Sequence, residues 1–272
     1  MKVPPVVLSI AGYDPSSGAG ITADVKTAAA HGCYAVTCIT ALTVQSSQGV
    51  FAVQPVDTEL IARTLRALAA DVEIAAVKVG MLGSREVAGV VADFLEAGRL
   101  PNIVLDPVLK SSSGKDLLDE AGLEILRGRL LSLADVITPN ADEAAVLAGM
   151  SPILAENAWN DVLPQIRAIA KKLHDLGAKT IVSTGGHFSA ANDHFSHREE
   201  GGTMREEVLS SPHIASRSTH GTGCAFATAV ACQLANGLEQ AAAVRAAKEY
   251  VRRSIETAYP VGRGTGPVNH LG

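Results

Sequence analysis

Aromatic residues are scarce in this chain: they make up 4% of its 272 residues, and a single one is tryptophan. Proteins that bind single-stranded nucleic acids stack the bases on aromatic side chains, so this scarcity argues against such a platform. The formal net charge of −5 argues against it too, because a polyanion is drawn to a basic surface. Hydrophobic residues nevertheless make up 47% of the chain, which is enough for a large aliphatic core. We expect a globular protein with no nucleic-acid partner.

Long apolar runs are absent as well. The first apolar stretch, residues 5–11, is interrupted at Gly12 and Asp14, which makes it shorter than the core of a secretory signal, and no small-residue cleavage pattern follows it. No window of the sequence approaches the ~18 uninterrupted apolar residues of a membrane span. We therefore expect a cytoplasmic protein without a membrane partner.

Cysteines are few and badly spaced for metal binding. The chain has four, and no C-x-x-C pair occurs, so a zinc knuckle is not expected. A disulfide framework would be unusual in a chain of this length. We predict reduced thiols, with Cys33, Cys38 and Cys232 as buried small residues and Cys224 in a different setting.

The chain does contain a regular alternation of short apolar runs with amphipathic helical stretches. A strand predicted over residues 5–11 is followed by a helix over 20–31, and such units recur until a last helix over 238–257. This alternation is typical of parallel strands joined by helical crossovers. We predict an α/β fold of three layers, a mostly parallel central sheet flanked by helices, in a single domain over residues 1–272.

One segment interrupts the alternation. Residues 187–218 are mostly polar, with weak strand patterns on either side of Gly201 and Gly202. Adjacent glycines between two strand patterns indicate a turn, so we predict a surface hairpin there.

The two common phosphate-binding patterns, G-x-x-x-x-G-K-[ST] and a G-x-G-x-x-G after the first strand, are absent. An ordinary phosphate-loop NTPase is therefore disfavoured. A different glycine-rich segment, Thr219–Cys224 (THGTGC), leads into the apolar helix AFATAVACQLA. The free amides and positive dipole end of that helix would suit an anion. An ordinary glycine-rich helix start is the alternative, and this segment alone does not decide between them.

Cys224 falls in or near the first turn of that helix. The local field there favours a thiolate and is expected to lower the thiol pKa from about 8.5, which would place a base beside the anion site. The alternative is a small residue packed at a helix start.

Carboxylates follow two predicted strands. Asp106 comes after one, Glu143 after the next, and Asn140 precedes Glu143 by three positions. Because ligands of such folds bind at the carboxyl ends of the strands, these oxygens are candidates for holding a hydrated Mg²⁺. Asn-x-x-Glu is also the spacing of a helix capping box, and the two interpretations are compatible.

Taken together and in order, these segments resemble a known family. The blocks are LSIAGYDPSSGAGITADVKT, ITALTVQSSQGV, KVGMLGS, VLDPVL, ITPNADEAAVL, TGGH, THGTGCAFATAVA and GPVNH. Their order and sequence over residues 7 to 270 resemble the hydroxymethylpyrimidine/phosphomethylpyrimidine kinases of the ribokinase-like superfamily. The resemblance implies ATP as phosphoryl donor, with Mg²⁺ bridging its phosphates. It also implies 4-amino-5-hydroxymethyl-2-methylpyrimidine, and then its monophosphate, as acceptors in thiamine biosynthesis. A homodimer is expected, since the family is one of dimers.

The resemblance also assigns roles to individual residues. Gln45 offers a donor and an acceptor to an aminopyrimidine edge, and Met81 suits a ring face. By motif position, the pyrimidine pocket comprises Gly12, Asp24, Gln45 and Met81. The Mg²⁺ and phosphate positions are Asp106, Asn140 and Glu143, with Thr184 and Gly186 on the nucleotide side. The anion hole comprises Gly221, Thr222 and Gly223, and Cys224 matches the catalytic base.

One block departs from the family pattern. Where the family usually has Val-Lys-Gly-Gly-His, this chain has Ser-Thr-Gly-Gly-His, so Thr184 stands at a lysine position. A neutral hydroxyl cannot supply that positive charge to a phosphate, and Lys110 is the candidate substitute. We expect the second phosphorylation, whose acceptor is already anionic, to be the activity most affected. The stretch 189–202 differs as well and leaves the adenine-side flap undefined.

Two alternatives remain open from the sequence. A pyridoxal or pyridoxine kinase of the same superfamily shares the GTGC block and phosphorylates a similar heterocycle, although Gln45 and Met81 favour the pyrimidine. A catalytically silent pyrimidine-binding protein is conceivable because of Thr184. The intact Gly-Thr-Gly-Cys and Asn-x-x-Glu blocks argue against it, since mere binding does not require them.

Overall fold

The computed structural model describes residues 3–111, 113–153, 158–186, 188, 191–199 and 201–272. His187, part of the block matched to the family, and parts of the 189–202 stretch lie outside these ranges. The strands are β1 (Val6–Tyr13), β2 (Tyr34–Ser46), β3 (Gly49–Pro55), β4 (Ile74–Val79), β5 (Ile103–Leu105), β6 (Val136–Ile137), β7 (Thr180–Ser183), β8 (Asp193–Arg198) and β9 (Met204–Leu209).

Helices connect most of the strands. They are α1 (Gly20–Ala30), α2 (Thr58–Asp71), α3 (Arg85–Gly98), α4 (Glu120–Ile125), α5 (Leu131–Leu133), α6 (Ala141–Ala148), α7 (Trp159–Asp175), α8 (Thr222–Ala235) and α9 (Gln240–Glu256), with a π-helical turn over Leu126–Leu130 between α4 and α5. The helix predicted from residue 20 thus ends as expected before Gly32, which has a φ of +68°.

In the described residues the strands form one nine-stranded sheet in the order β3-β2-β1-β4-β5-β6-β7-β8-β9. β1 is parallel to β2 and β4, and parallel pairing continues through β5 and β6 to β7. β3 pairs antiparallel with β2, and β8 and β9 follow β7 in antiparallel order. The predicted mostly parallel sheet is confirmed. Its parallel strands end at one edge, so the loops that follow them converge there.

Side chains on successive strand positions point to opposite faces and build two separate cores. Leu8 belongs to the core beneath α2, α3, α6 and α7, whereas its neighbour Val7 belongs to the core beneath α8 and α9. The predicted three layers are confirmed. Cys33, Cys38 and Cys232 are buried free thiols, as expected. No helix within the described ranges is both long and apolar enough to cross a bilayer.

The hairpin predicted within 187–218 exists, but it is only partly a surface feature. β8 and β9 pair on either side of Gly201 and Gly202. β8, however, also pairs with β7, and Phe195 is buried. Ser196 Oγ lies 2.9 Å from Nε2 of His174 on α7, so this polar side chain of β8 has a partner inside the fold. The sequence looked like a surface strand because these buried positions are polar rather than aliphatic.

Candidate active site

Residues 219–224, the anion loop, form the start of α8 at the edge where the parallel strands end. α8 packs against β1, β4 and β5. Gly221 has a φ of +85°, and a Cβ there would lie 1.8 Å from the carbonyl oxygen of Gly18, so only glycine fits. The Thr222 amide donates to the carbonyl of Thr219 at 3.4 Å, whereas the amides of Gly223 and Cys224 have no intrahelical acceptor. The geometry suits an anion, and the assignment of these residues to an anion hole stays a prediction.

Cys224 is half-buried in the first turn of α8. The expectation that its thiol pKa is lowered is wrong: burial raises this pKa to about 12. The positive charge of Lys78 opposes that rise, while the carboxylates of Asp106 and Asp24 reinforce it. The favourable field of the helix start is therefore outweighed by loss of water and by nearby negative charge.

A buried ion pair lies behind the anion loop. Lys78 Nζ on β4 is 3.1 and 3.0 Å from the two carboxylate oxygens of Asp24 on α1, and neither side chain is exposed. Burial alone would lower the pKa of Lys78, but attraction to Asp24 outweighs it and leaves this pKa raised. The Asp24 carboxylate also accepts from Ser9 Oγ at 2.5 Å and Thr228 Oγ1 at 2.7 Å.

These contacts leave Asp24 inside the core rather than in the wall of a pocket. The direct pyrimidine contact predicted for it is not supported by its surroundings, because no face of the carboxylate is open to a ligand. Sequence reasoning also missed Lys78. The signal was available: a lysine interrupts the otherwise apolar strand IAAVKV, and a lysine in a fully buried strand needs a partner.

Asp106 and Glu143 lie together at the ends of β5 and β6. Asp106 is 5% exposed, and its Oδ2 has no hydrogen-bond partner among the described residues. Burial raises the pKa of Asp106 to about 6, against the opposing charge of Lys78. Burial, with the charge of Asp106, raises the pKa of Glu143 to about 8. Two desolvated carboxyls at one place form a site that lacks positive charge.

The capping-box interpretation of Asn140 and Glu143 is confirmed. Asn140 Oδ1 accepts from the Glu143 amide at 2.9 Å, and Glu143 Oε2 accepts from the Asn140 amide at 3.0 Å. Glu143 Oε1 lies 3.4 Å from the amide of Leu109, in the loop after Asp106. The box therefore also holds Glu143 beside Asp106.

The donor set fits the Mg²⁺ that the resemblance implies. Asp106 offers a buried, unpartnered oxygen, and Glu143 offers a second carboxylate beside it. No group of three or more His, Cys, Asp or Glu side chains suited to a metal occurs in the described part of the chain. Mg²⁺ prefers a coordination shell with few protein oxygens, in which water and phosphate supply the other ligands. Asp106 and Glu143 are the residues that would hold it.

The pyrimidine side of the site contains Gly12, Met81 and Gln45. A Cβ on Gly12 would lie 2.9 Å from Met81 Sδ, so the thioether lies directly over this stretch of backbone. The Met81 carbonyl accepts from Thr40 Oγ1 at 2.5 Å, which fixes the loop after β4. Gln45 follows a register shift in β2, a bulge that redirects its side chain. Their predicted contacts with the pyrimidine stay predictions.

The glycine-rich stretch after β1 folds around Asp14. Its carboxylate accepts from the amides of Ser16, Gly18 and Ala19 at 2.8, 3.2 and 2.9 Å. His220 Nε2, in the anion loop, lies 2.8 Å from Asp14 Oδ2. Burial would raise the pKa of Asp14, but the bonds from His220 and Ser16 hold it below its ordinary value. Asp14 and His220 thus join the first loop of the chain to the anion loop, a link that sequence reasoning missed.

Residues 262–268, which we call the strap, contact both the β2–β3 turn and the anion loop. The amide of Thr265 donates to the carbonyl of Ser47 at 2.9 Å, and the amide of His220 donates to the carbonyl of Gly266 at 2.9 Å. The strap therefore ties the β2–β3 turn to the anion loop.

The residues predicted for the nucleotide side, Thr184 and Gly186, lie at the end of β7. The Thr184 amide donates to the carbonyl of Pro139 at 2.9 Å, which places Thr184 beside Asn140. The Gly185 amide donates to Asp193 Oδ1 at 3.0 Å, and Gly186 is exposed. Lys110, the candidate substitute for the missing lysine, is exposed, and its Nζ lies 3.6 Å from Asp116.

The sequence of this chain is similar to known kinases over nearly its whole length. The family described as phosphomethylpyrimidine kinase matches residues 14–269. A hydroxymethylpyrimidine/phosphomethylpyrimidine kinase of Streptomyces coelicolor is 40% identical over 267 residues, which cover 98% of this chain and 94% of that protein. A thiamine biosynthesis bifunctional protein of Geobacter sulfurreducens is 39% identical over 97% of this chain, which spans about half, 52%, of the bifunctional protein's length.

Solved structures agree on the fold. The ADP complex of Bacillus subtilis pyridoxal kinase superposes with a TM-score of 0.85 at 34% sequence identity, covering 98% of this chain and 97% of that one. The ribokinase-like architecture expected from the sequence is confirmed by this similarity.

Proposed function

The chain belongs to the phosphomethylpyrimidine kinase family, and from that premise we propose that it phosphorylates 4-amino-5-hydroxymethyl-2-methylpyrimidine, and then its monophosphate, with ATP in thiamine biosynthesis. One observation carries the proposal. The anion loop, the carboxyl pair Asp106 and Glu143, and the polar side chain of Gln45 lie at one edge of the sheet, the edge at which such folds bind ligands.

The chemistry is an in-line transfer. The hydroxymethyl oxygen attacks the γ-phosphorus of ATP, the bond from that phosphorus to the β–γ bridging oxygen breaks, and ADP leaves. Cys224 accepts the hydroxyl proton in its thiolate form, which is the minor form because its pKa is raised to about 12, and the amides of the anion loop donate to the transferring phosphoryl oxygens. Because phosphoryl transfer depends mainly on positioning and on charge stabilisation, Cys224 needs to accept the proton only as the new bond forms.

The raised pKa values of Asp106 and Glu143 indicate a site that a cation would stabilise. Mg²⁺ bound at Asp106 and Glu143 would neutralise phosphate charge and draw both carboxyls into their ionised form. Lys78 supplies a fixed positive charge behind Cys224, without contact to solvent. This lysine is the cation whose charge acts on Cys224 and Asp106.

Thr184 affects the proposed second phosphorylation, in which the monophosphate is the acceptor. At the end of β7, Thr184 offers only a neutral hydroxyl, Lys110 Nζ lies 3.6 Å from Asp116, and Lys248 Nζ is paired with Asp193 at 2.6 Å. We therefore propose that the monophosphate is the poorer acceptor. Thr184→Lys should improve its turnover more than that of the unphosphorylated pyrimidine.

The proposed function is tested by ADP release from Mg-ATP with three acceptors: the hydroxymethylpyrimidine, its monophosphate and pyridoxine. We expect turnover with the two pyrimidines. Pyridoxine belongs in the assay because the pyridoxal kinase of Bacillus subtilis shares the fold at 34% identity. If turnover is faster with pyridoxine, the proposed substrate is pyridoxine rather than the pyrimidine. Pyrimidine binding without ADP release from any acceptor would leave a silent binding protein.

The proposal also covers the oligomeric state, the cellular location and the domain organisation of the protein. We propose a homodimer in the cytoplasm, with residues 1–272 acting as one kinase domain, since the site joins residues from both ends of the chain. Exposed apolar side chains on β2 and β3, Leu42, Val44 and Phe51, support an interface between copies. Size-exclusion chromatography with light scattering measures the assembly directly.

A further inference from the structure

Gln45 has polar neighbours on both sides of its amide group. The amide nitrogen is placed 3.2 Å from Nε2 of His220, and the amide oxygen 3.1 Å from Oγ1 of Thr43. Each neighbour has a second partner: Thr43 Oγ1 lies 2.9 Å from the carbonyl oxygen of Tyr13, and His220 Nε2 lies 2.8 Å from Asp14 Oδ2. These four contacts determine which way the amide can face.

The number of available hydrogens rules out the orientation in which the amide nitrogen of Gln45 faces His220. The hydroxyl of Thr43 has one hydrogen, and the carbonyl of Tyr13 can only accept, so none remains for the Gln45 oxygen. His220 Nε2 must carry a hydrogen to bond the Asp14 carboxylate, so it faces the NH₂ group of Gln45 as donor against donor. Both contacts fail in this orientation.

A half-turn of the amide satisfies every partner. The Gln45 oxygen then accepts from His220 Nε2–H, which is shared with Asp14. The Gln45 nitrogen donates to Thr43 Oγ1, whose own hydrogen goes to Tyr13. Oxygen and nitrogen of a terminal amide are interchangeable in shape, so the hydrogen-bond partners decide between the two orientations.

We propose that His220 is a positioning residue for substrate choice: held by Asp14, it fixes the Gln45 amide with its oxygen toward the anion loop, and so sets which pyrimidine edge the site accepts. The unused edge of the amide offers one acceptor and one donor side by side. A 4-aminopyrimidine presents the complement, an exocyclic NH₂ beside a ring nitrogen that accepts. The corresponding 4-oxopyrimidine presents the reverse, an acceptor beside a ring N–H.

The ring cannot turn over to compensate, because its hydroxymethyl group must reach the γ-phosphate beside Cys224. Only rotation of the Gln45 amide would admit the 4-oxo compound, and that rotation breaks the bonds to His220 and Thr43. This argument rests on the proposed function, since it takes a pyrimidine as the ligand.

The position of His220 is fixed by its neighbours. A Cβ on Gly18 would lie 2.3 Å from His220 Cδ2, so the loop around Asp14 closes directly on the ring. The strap holds its backbone at Gly266. Asp14 is 3% exposed and also carries the amides of its own loop, so the acceptor of the His220 bond is fixed as well.

The test compares two ligands in four variants. The 4-amino and 4-oxo forms of 5-hydroxymethyl-2-methylpyrimidine are titrated calorimetrically without nucleotide, and their turnover is then measured with Mg-ATP. We expect the wild-type protein to favour the amino form at least about tenfold, because a reversed donor–acceptor pair is rejected by a fixed site. His220→Phe keeps a ring but no donor, and should bring the two affinities within about threefold. The loss should lie in KM for the pyrimidine rather than in kcat.

His220→Gln, whose amide nitrogen reaches the place of Nε2, should restore the preference. His213→Phe, the same change at an exposed histidine of the same connecting segment, should leave it unaltered. Thermal unfolding checks that each variant is folded. Thr43→Val, which removes the acceptor on the other side of the amide, should also weaken the preference and serves if His220→Phe does not fold.

An equal loss for both pyrimidines in His220→Phe, or an unchanged preference, would overturn the role of His220 while leaving the proposed kinase intact. So would a wild-type protein that does not distinguish the two ligands. Binding of the amino form without ADP release would defeat the proposed kinase, yet the affinity ratios would still decide the role of His220. A wild-type protein that binds neither ligand would overturn both.

Discussion

Two lysine–aspartate pairs underlie the two halves of the site, and they differ in how far water reaches them. Lys78 and Asp24, on the phosphoryl-transfer side, have side-chain exposures of 0% each. Lys248 and Asp193, on the nucleotide side, have 14% and 9%, with 2.6 Å between Nζ and Oδ2. Water still reaches the second pair, so its charges are better screened than those of the first.

Their other neighbours differ as well. Lys78 acts on the charges of Cys224 and Asp106 in addition to Asp24. The remaining bonds of the second pair go to backbone: Lys248 Nζ to the carbonyl of Ala191, and Asp193 to the amide of Gly185. The same residue types therefore serve different ends. The first pair acts on the charges of Cys224 and Asp106, the groups proposed to take part in the reaction, and the second holds the turn at Gly185.

Lys78→Met should produce the largest effect. It leaves Asp24 buried without its counter-charge, so the free energy of unfolding should fall by about 3–5 kcal/mol, measured by urea denaturation. Lys78→Met combined with Asp24→Leu removes both charges and should regain part of that stability. Turnover should not return in the double variant. If it does, the first pair is as purely structural as the second, and the contrast between them disappears.

Cys224→Ala sharpens the link between the first pair and the chemistry. We expect kcat to fall about 100-fold, the lower end for loss of a general base, because phosphoryl transfer relies mainly on positioning. Affinity for the pyrimidine, measured by calorimetry, should stay within about threefold. Cys232→Ala, a buried thiol on the same helix, is the matched control. Wild-type turnover in Cys224→Ala would remove the base assignment.

Glu143→Gln tests the shortage of positive charge beside Asp106, one of the groups on which Lys78 acts. The folded-state pKa of Glu143, raised to about 8, lies above its ordinary value of 4.5. Between these values the folded chain retains a proton that the unfolded chain has lost, so stability falls as pH rises from about 4.5 to 8. The amide variant keeps the capping geometry without ionising. Its free energy of unfolding should exceed that of the wild-type protein by about 4 kcal/mol at pH 8 and be similar at pH 4.5, measured by urea denaturation at each pH. Equal pH profiles would contradict the charge shortage.

Lys248→Met should give the smallest effect. Because water reaches this pair, we expect a loss of about 1–2 kcal/mol in the free energy of unfolding, less than for Lys78→Met. The turn at Gly185 should loosen, raising KM for ATP while KM for the pyrimidine stays unchanged. Lys172→Met, at an exposed position of α7, is the control. A loss as large as that of Lys78→Met would mean that partial exposure does not distinguish the pairs.

Much of the fold was predictable because its signals are local. The alternation of apolar runs with amphipathic helices gave the layers, and the Asn140 to Glu143 spacing gave a capping box that the structure confirms. Both depend on residues only a few positions apart, where backbone geometry dictates which side chains meet.

The errors concern contacts between distant residues. Asp24 matched a pocket position by motif, but its partner Lys78 is 54 residues away and turns it into the core. Cys224 was expected to have a lowered pKa from its helix position alone. Burial and the charge of Asp106, at the end of another strand, reverse that shift. The polar sequence of β8 predicts a surface strand, because the partner of Ser196, His174 on α7, lies 22 positions away in the chain.

The strap has a consequence for how the protein is made. Thr265 and Gly266 bind Ser47 and His220, and His220 in turn binds Asp14, 206 positions earlier. During synthesis the first loop and β2 leave the ribosome long before their partners exist. Contacts of such long sequence separation form late and slowly in folding. The nascent chain can therefore complete most of its sheet while its recognition site is still unfinished, so catalytic competence should be acquired after the bulk of the fold.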